Sequence, residues 1–267
     1  MSKKKDSQSK KVYLPVIAFG GVCRAEYSMS MAALFVKCLN DQSHISFLST
    51  GILFESLVSR ARNSAAAAAL HYETDYLLFI DADVSFNPAD VFKLIDHDKD
   101  VVSGVYPKKY ISQSKVHYIA KHQSEIFRGA DWSASATDFA TEINESFLDK
   151  VARGDKLVEV DYAATGFMLI KTDVFRKIIT EKPELEYKNE IDGYMAWGEN
   201  FYNFFPADIN PTSRKYESED YGFCNLWKSL GGKIWVDPSL ELHHIGNYTF
   251  KGNLKKQANL YHHSMKT

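Results

Sequence analysis

The 267-residue chain is predicted to fold as an α/β domain with a mostly parallel central sheet flanked by helices. Three observations predict it. Strand-like and helix-like segments alternate over the first 110 residues, the pattern of a parallel sheet with helices on its faces. Tyr76 to Ile80 is an unbroken apolar run, as a strand buried on both faces requires. The composition, 45% hydrophobic and 25% charged with a formal net charge of -2, is ordinary for a globular chain long enough to bury a core.

The elements follow in order. Residues 1–11 are polar and lysine-rich and read as a flexible basic tail. Val12 to Phe19 reads as the first strand, ending at Gly20-Gly21. Tyr27 to Leu39 carries Met31, Leu34, Phe35 and Cys38 at helical spacing. His44 to Ser49 is a short strand. Glu55 to His71 is a helix in which the alanines from Ala65 to Ala69 favour helix and allow close approach to a sheet. Tyr76 to Ile80 follows as a strand, and Pro88 opens a helix through Ile95 because proline fits a first turn. Val101 to Tyr106 is a further strand.

Residues 111–157 are polar and weakly patterned and read as loops and an insertion. Val158 to Tyr162 and Phe167 to Ile170 are strands around Ala163-Ala164-Thr165-Gly166, and Asp173 to Thr180 is a helix. The aromatic stretch 187–205 has no clean period. Ser218 to Leu230 reads as a helix with Ser218 as N-cap, acids in the first turn and Gly231 as its stop. Lys233 to Val236 and Leu240 to His244 are strands split by Asp237-Pro238.

Several classes are excluded. Net charge argues against a nucleic-acid binder. No apolar run is long enough for a membrane span. Lys3 to Lys5 precede only a short apolar run broken by Pro15, unlike a secretory signal. Cys23, Cys38 and Cys224 are too scattered for a disulfide framework or zinc spacing, as expected of reduced thiols in a cytoplasmic protein.

Asp81 and Asp83 are the sharpest chemical feature. They end a buried strand, where ligands of open α/β sheets bind. On an extended chain, residues two apart share a side, and two carboxylates so placed call for a cation between them. Hard oxygen ligands suit magnesium or manganese. The plainer reading of the pair is an acidic turn before Asn87-Pro88.

With its strand, this pair resembles the DxD segment of GT-A glycosyltransferases, specifically a family-2-like, nucleotide-sugar-dependent type. The stretch runs Asp75-Tyr76-Leu77-Leu78-Phe79-Ile80-Asp81-Ala82-Asp83. Arg60-Ala61-Arg62-Asn63 resembles the helix that meets the nucleotide in those enzymes. Asp100 to Lys108 resembles the strand after the DxD, Ala164 to Ile170 the acceptor-side strand, and Ser218 to Cys224 with His244-Ile245-Gly246 the end of the catalytic domain.

The resemblance implies a Rossmann-like GT-A domain over 12–250, with a nucleotide-binding half at about 12–110, an acceptor-binding half at about 158–250, and an extension at 251–267. It implies a nucleoside-diphosphate sugar donor, Mn2+ or Mg2+ as cofactor, and a glycan, lipid or protein acceptor. Asp220, with Glu219 beside it, would be the general base of an inverting hexosyl- or pentosyltransferase. Asp83 would touch the metal directly, with His244 completing the site and Asp81 nearby or turned toward the ribose. Phe19, Gly20, Arg24, Arg62, Asn63, Asp81, Ala82, Lys108 and Gly166 would line the donor. Tyr194, Trp197 and Tyr202 are candidates to stack on a sugar.

Three other readings compete. Phe79 to Val84 also fits a haloacid-dehalogenase-like phosphatase with Asp81 as nucleophile, although that motif normally sits on the first strand. A sugar nucleotidyltransferase would carry a fuller glycine loop than Phe19 to Arg24. A carbohydrate or nucleotide binder without turnover would have no need of Asp220 and His244.

Overall fold

The computed structural model describes residues 9–40, 44–122, 132–141, 143–198 and 200–264. Most of the basic tail lies outside them. The strands that build the site are β1 (Lys10–Tyr13), β2 (Ile45–Leu48), β3 (Tyr76–Ile80), β4 (Val84–Ser85), β5 (Val101–Gly104), β6 (Pro107–Ile111), β7 (Val158–Val160), β8 (Phe167–Lys171), β9 (Ile234–Asp237), β10 (His243–Ile245) and β11 (Thr249–Lys251). The helices that flank it are α1 (Ala25–Asn40), α2 (Val58–His71), α3 (Pro88–Asp96), α4 (Thr172–Glu181) and α5 (Glu219–Ser229).

Seven strands form the central sheet in the order β7-β9-β5-β8-β3-β1-β2. β1, β2 and β3 run parallel, as do β5 and β9. β8 is antiparallel to both β3 and β5, and β7 to β9. The sheet is therefore mixed at its centre, because β8 enters between the two parallel groups. Its faces alternate as the pleat demands: Tyr13, Leu77, Phe79, Met168 and Ile170 pack on one side, and Val12, Tyr76, Leu78, Ile80 and Leu169 on the other.

α2 is buried over every residue from Ala61 to Ala69. It lies against β3, α4 and the 3-10 turn Asp192–Trp197. The alanines make that possible, since larger side chains would hold the neighbours apart. The helix starts at Val58 rather than Glu55, because Glu55 stays outside it and accepts from the Leu57 N–H (2.9 Å) and from Arg60.

Other boundaries differ for identifiable reasons. The first strand begins at Lys10 and breaks at Leu14-Pro15, resuming as Val16–Ala18. The stretch read as loops contains helices Gln113–His122 and Glu145–Arg153. The second has an Asn144 cap on the Phe147 N–H and a left-handed Gly154 at its end; both are standard punctuation. Ser218 does sit at the N-cap position of α5, but its side chain makes no capping bond. The helix Leu254–Ser264, in the stretch read as an extension, buries Leu254 and Ala258 in the same core.

A small sheet ties the C-terminal half to the DxD turn. β10 pairs antiparallel with β4 and with β11, placing His244 opposite Val84. The Ile245 N–H donates to the Asp83 carbonyl at 2.7 Å.

α5 is seated by a close backbone approach: a Cβ on Gly222 would overlap the Pro206 carbonyl oxygen. Neither backbone can give way easily. Gly222→Ala is expected to cost about 2 kcal/mol or more, read as a lower urea midpoint. An unchanged midpoint would show that α5 is not held there.

Candidate active site

Arg62 organises the site. Its guanidinium, with the side chain only 5% exposed, meets three carboxylates: Asp81 at 3.2 Å, Glu219 at 3.3 Å and Asp220 at 4.0 Å. It also lies 5.1 Å from the centre of the Phe79 ring. These groups come from α2, the end of β3 and the first turn of α5. Burial opposes the charge on Arg62, but the acids around it hold the guanidinium firmly protonated.

Three acids against one cation leave an excess of negative charge. Asp220 responds to it. Burial raises its pKa from 3.8 to about 6; Arg62 and a Thr165 hydrogen bond pull it down, while Glu219 and Asp81 push it up. The Thr165 hydroxyl and N–H, and Arg62, all approach Oδ1. Oδ2 has no partner among the described residues. Folded Asp220 keeps its proton to about pH 6, whereas the unfolded chain releases it near 3.8. Its ionisation therefore works against folding, and stability from this group falls as pH rises through that window.

Gly166 is the floor beside these groups. A Cβ there would stand 2.5 Å from the Tyr106 hydroxyl and 2.6 Å from Asp81 Oδ2. Its carbonyl accepts from the Asp81 N–H at 2.9 Å. Glycine is needed at this position to let the phenol and the carboxylate close over the backbone.

Asp83 does not share Asp81's surroundings. The Val84 N–H bonds the Asp81 carbonyl at 2.9 Å, closing a turn, so the two acids diverge. Asp83 Oδ2 is 2.5 Å from Lys109 Nζ and Oδ1 is 3.3 Å from His244 Nε2. Burial works against its charge, but His244 and Lys109 hold its pKa at about 2.

A divalent ion such as Mn2+ needs oxygen or imidazole ligands with free lone pairs. His244 Nδ1 lies 2.9 Å from the Pro107 carbonyl, which only accepts, so Nδ1 carries the proton. Nε2 then meets a carboxylate oxygen lone pair to lone pair unless a proton or a cation stands between them. That is the orientation a ligating histidine adopts. Among the described residues no three His, Cys, Asp or Glu side chains converge to hold an ion alone. Asp83 and His244 fit as two of its ligands, and substrate phosphates commonly complete such a site.

The remaining expected residues divide. Phe19 is exposed, and Gly20 and Gly21 beside it have positive φ. The Arg24 N–H donates to the Ala82 carbonyl at 2.9 Å, which brings this loop to the DxD turn. Asn63 is committed elsewhere: it donates to Asn203 and accepts from the Phe205 N–H, each at 3.0 Å. Trp197 stacks on Tyr194 and donates to the Tyr72 hydroxyl, so both serve packing against α2. Tyr202 packs on Phe204.

Two features escaped the sequence reading. Tyr27 is 3% exposed and its hydroxyl has no hydrogen-bond partner among the described residues; Cys23 and Asp81 lie close enough to raise its pKa beyond what burial does. Its helical spacing gave only a core signal. Tyr162 and Tyr221 stack at 3.4 Å, but they are distant in sequence and nothing local pairs them.

Asp220, His244, Tyr106, Lys109, Tyr162 and Tyr221 line one cleft of about 360 Å³. A larger cavity of about 560 Å³, walled by Tyr118, Ile119, Phe139 and Leu148, adjoins it at Lys108 and Thr141. Asp220 and His244 line the smaller cleft, which is therefore the one that bears on the chemistry.

Residues 55–180 match the Anp1 family, a GT-A-like mannosyltransferase family. The match takes in α2, the DxD turn and β8. It supports a glycosyltransferase of GT-A fold. No curated protein matches the chain in sequence. Among solved structures, A197 from STIV is similar with 17% identity and a TM-score of 0.45, over 91% of this chain and 94% of that one. GalNAc-T7, crystallised with UDP, GalNAc and Mn2+, has 11% identity and a TM-score of 0.43, over 96% of this chain and 48% of that one. No helix among the described residues is long and apolar enough to cross a membrane.

Removing a cation from partly buried acids is costly. Arg62→Met is expected to lose about 3–5 kcal/mol of stability at neutral pH, and to recover part of it at pH 5, where the acids can take up protons. Equal losses at both pH values in urea titrations would contradict the cluster.

Proposed function

We propose that the chain transfers a sugar from a nucleoside-diphosphate sugar to an acceptor hydroxyl, with inversion at the anomeric carbon and Asp220 as general base. Residues 12–250 would act as one catalytic domain. The observation that carries the reading is Asp220 itself: a buried carboxylate beside the cleft, anchored through Oδ1 and unpartnered at Oδ2, with its pKa raised to about 6. A base with a pKa near the working pH is well matched to proton abstraction.

Each residue has a task in this account. Asp220 Oδ2 takes the proton of the acceptor hydroxyl as that oxygen attacks. Thr165 and Arg62 fix the carboxylate's position and keep it ionised above about pH 6. Tyr162 and Tyr221 offer the acceptor sugar an aromatic wall, and Tyr27 offers the donor a buried hydroxyl. Arg62, having its own acids, positions Asp81 and Asp220 rather than clamping phosphate. Mn2+ or Mg2+, held by Asp83 and His244, would supply Lewis-acid neutralisation of the diphosphate.

The test is a nucleotide-sugar panel with detection of nucleoside diphosphate release, starting from mannosyl donors because of the Anp1 match. Asp220→Asn is expected to lower kcat by roughly 10²–10⁴-fold while donor affinity stays within twofold. Retention of configuration in the product by NMR, or an Asp220→Asn variant with half the activity, would remove Asp220 as the base.

The same donor binding should depend on Tyr27. Tyr27→Phe is expected to weaken it by roughly fivefold, the worth of one hydrogen bond, with the melting temperature unchanged or higher. Unchanged affinity by calorimetry would place the donor elsewhere.

A further inference from the structure

Asp83 already carries a cation. The Lys109 ammonium stands 2.5 Å from Oδ2, and His244 faces Oδ1 at 3.3 Å. The Lys109 stem runs beside the strand that brings His244: a Cβ on Gly246 would meet Lys109 Cδ at 3.5 Å. An ammonium has donors only, so Lys109 holds the carboxylate without being able to ligate a metal. A cation held by Asp83 would share that carboxylate with the ammonium, and the two would repel.

The pair is also easily broken. Both side chains are about one-third exposed, 36% for Lys109 and 33% for Asp83, and such ion pairs are weak. A diphosphate is the stronger partner for an ammonium, with more charge and more acceptor oxygens.

We propose that Lys109 gates the cation site, occupying Asp83 until a donor diphosphate draws its ammonium away, so that metal and nucleotide bind together and the metal does not bind first. This rests on the reading of Asp83 and His244 as the cation ligands. By linkage the effect is reciprocal: whatever affinity the nucleotide adds for the metal, the metal adds for the nucleotide.

The experiment measures Mn2+ binding directly, by the loss of its free-ion electron paramagnetic resonance signal, in wild-type and Lys109→Met protein. Each is examined alone and with UDP or GDP. Lys109→Met removes the charge and keeps the stem; Lys109→Gln is the second variant, and circular dichroism confirms that both fold. Without nucleotide, Lys109→Met is expected to bind Mn2+ at least tenfold more tightly than wild type. Adding nucleotide should strengthen Mn2+ binding more in wild type than in Lys109→Met. Asp83→Asn should lose the ion in either background.

Equal Mn2+ affinity of wild type and both Lys109 variants without nucleotide would overturn the gate and leave the cation site standing. Failure of every protein to bind Mn2+, with or without either nucleotide, would overturn the cation site and the gate with it.

Discussion

The site depends on one buried guanidinium. Arg62 is the point where α2, the end of β3 and the start of α5 meet, and each brings an acid to it. Those segments are far apart in the chain. A buried charge forces its partners into place because an unpaired one is too costly to tolerate. The mixed centre of the sheet serves the same end: β8 enters antiparallel beside β3, and the turn before it delivers Thr165 and Gly166 to Asp220 and Asp81.

The excess of acid over base in this cluster has a chemical consequence. Burial first, and then the neighbouring carboxylates that one guanidinium cannot neutralise, make one acid hold its proton longer than usual. That is Asp220. The same packing that makes the cluster stable thus produces a carboxylate whose proton affinity suits abstraction. Structure and proposed mechanism are linked through that burial, with the imbalance adding to it.

How much of this was legible in the sequence depends on range. β3, α2, α3 and α5 were legible because each carries its own period and punctuation, and Pro88 and the alanine run behave as read. The helix Glu145–Arg153 is faint in the sequence although Asn144 and Gly154 mark its ends, since only Phe147, Leu148 and Val151 form its apolar face. The expectation that Asp81 and Asp83 point together assumed an extended chain. The chain turns instead, and the two acids divide between Arg62 and the Lys109–His244 pair. Asn63 and Trp197 were read from motif and residue type, but long-range partners decide their places. The Arg62 cluster and the Tyr162–Tyr221 stack are tertiary facts with no local signature.

The central claim is that burial, with Glu219 and Asp81 alongside, raises the Asp220 pKa to about 6 against the pull of Arg62. The direct measurement is a pH titration of the Asp220 side-chain carboxyl carbon by 13C NMR in the intact protein, assigned by comparison with Asp220→Asn. The account predicts a midpoint near pH 6. A midpoint near 4, the ordinary aspartate value, would contradict it.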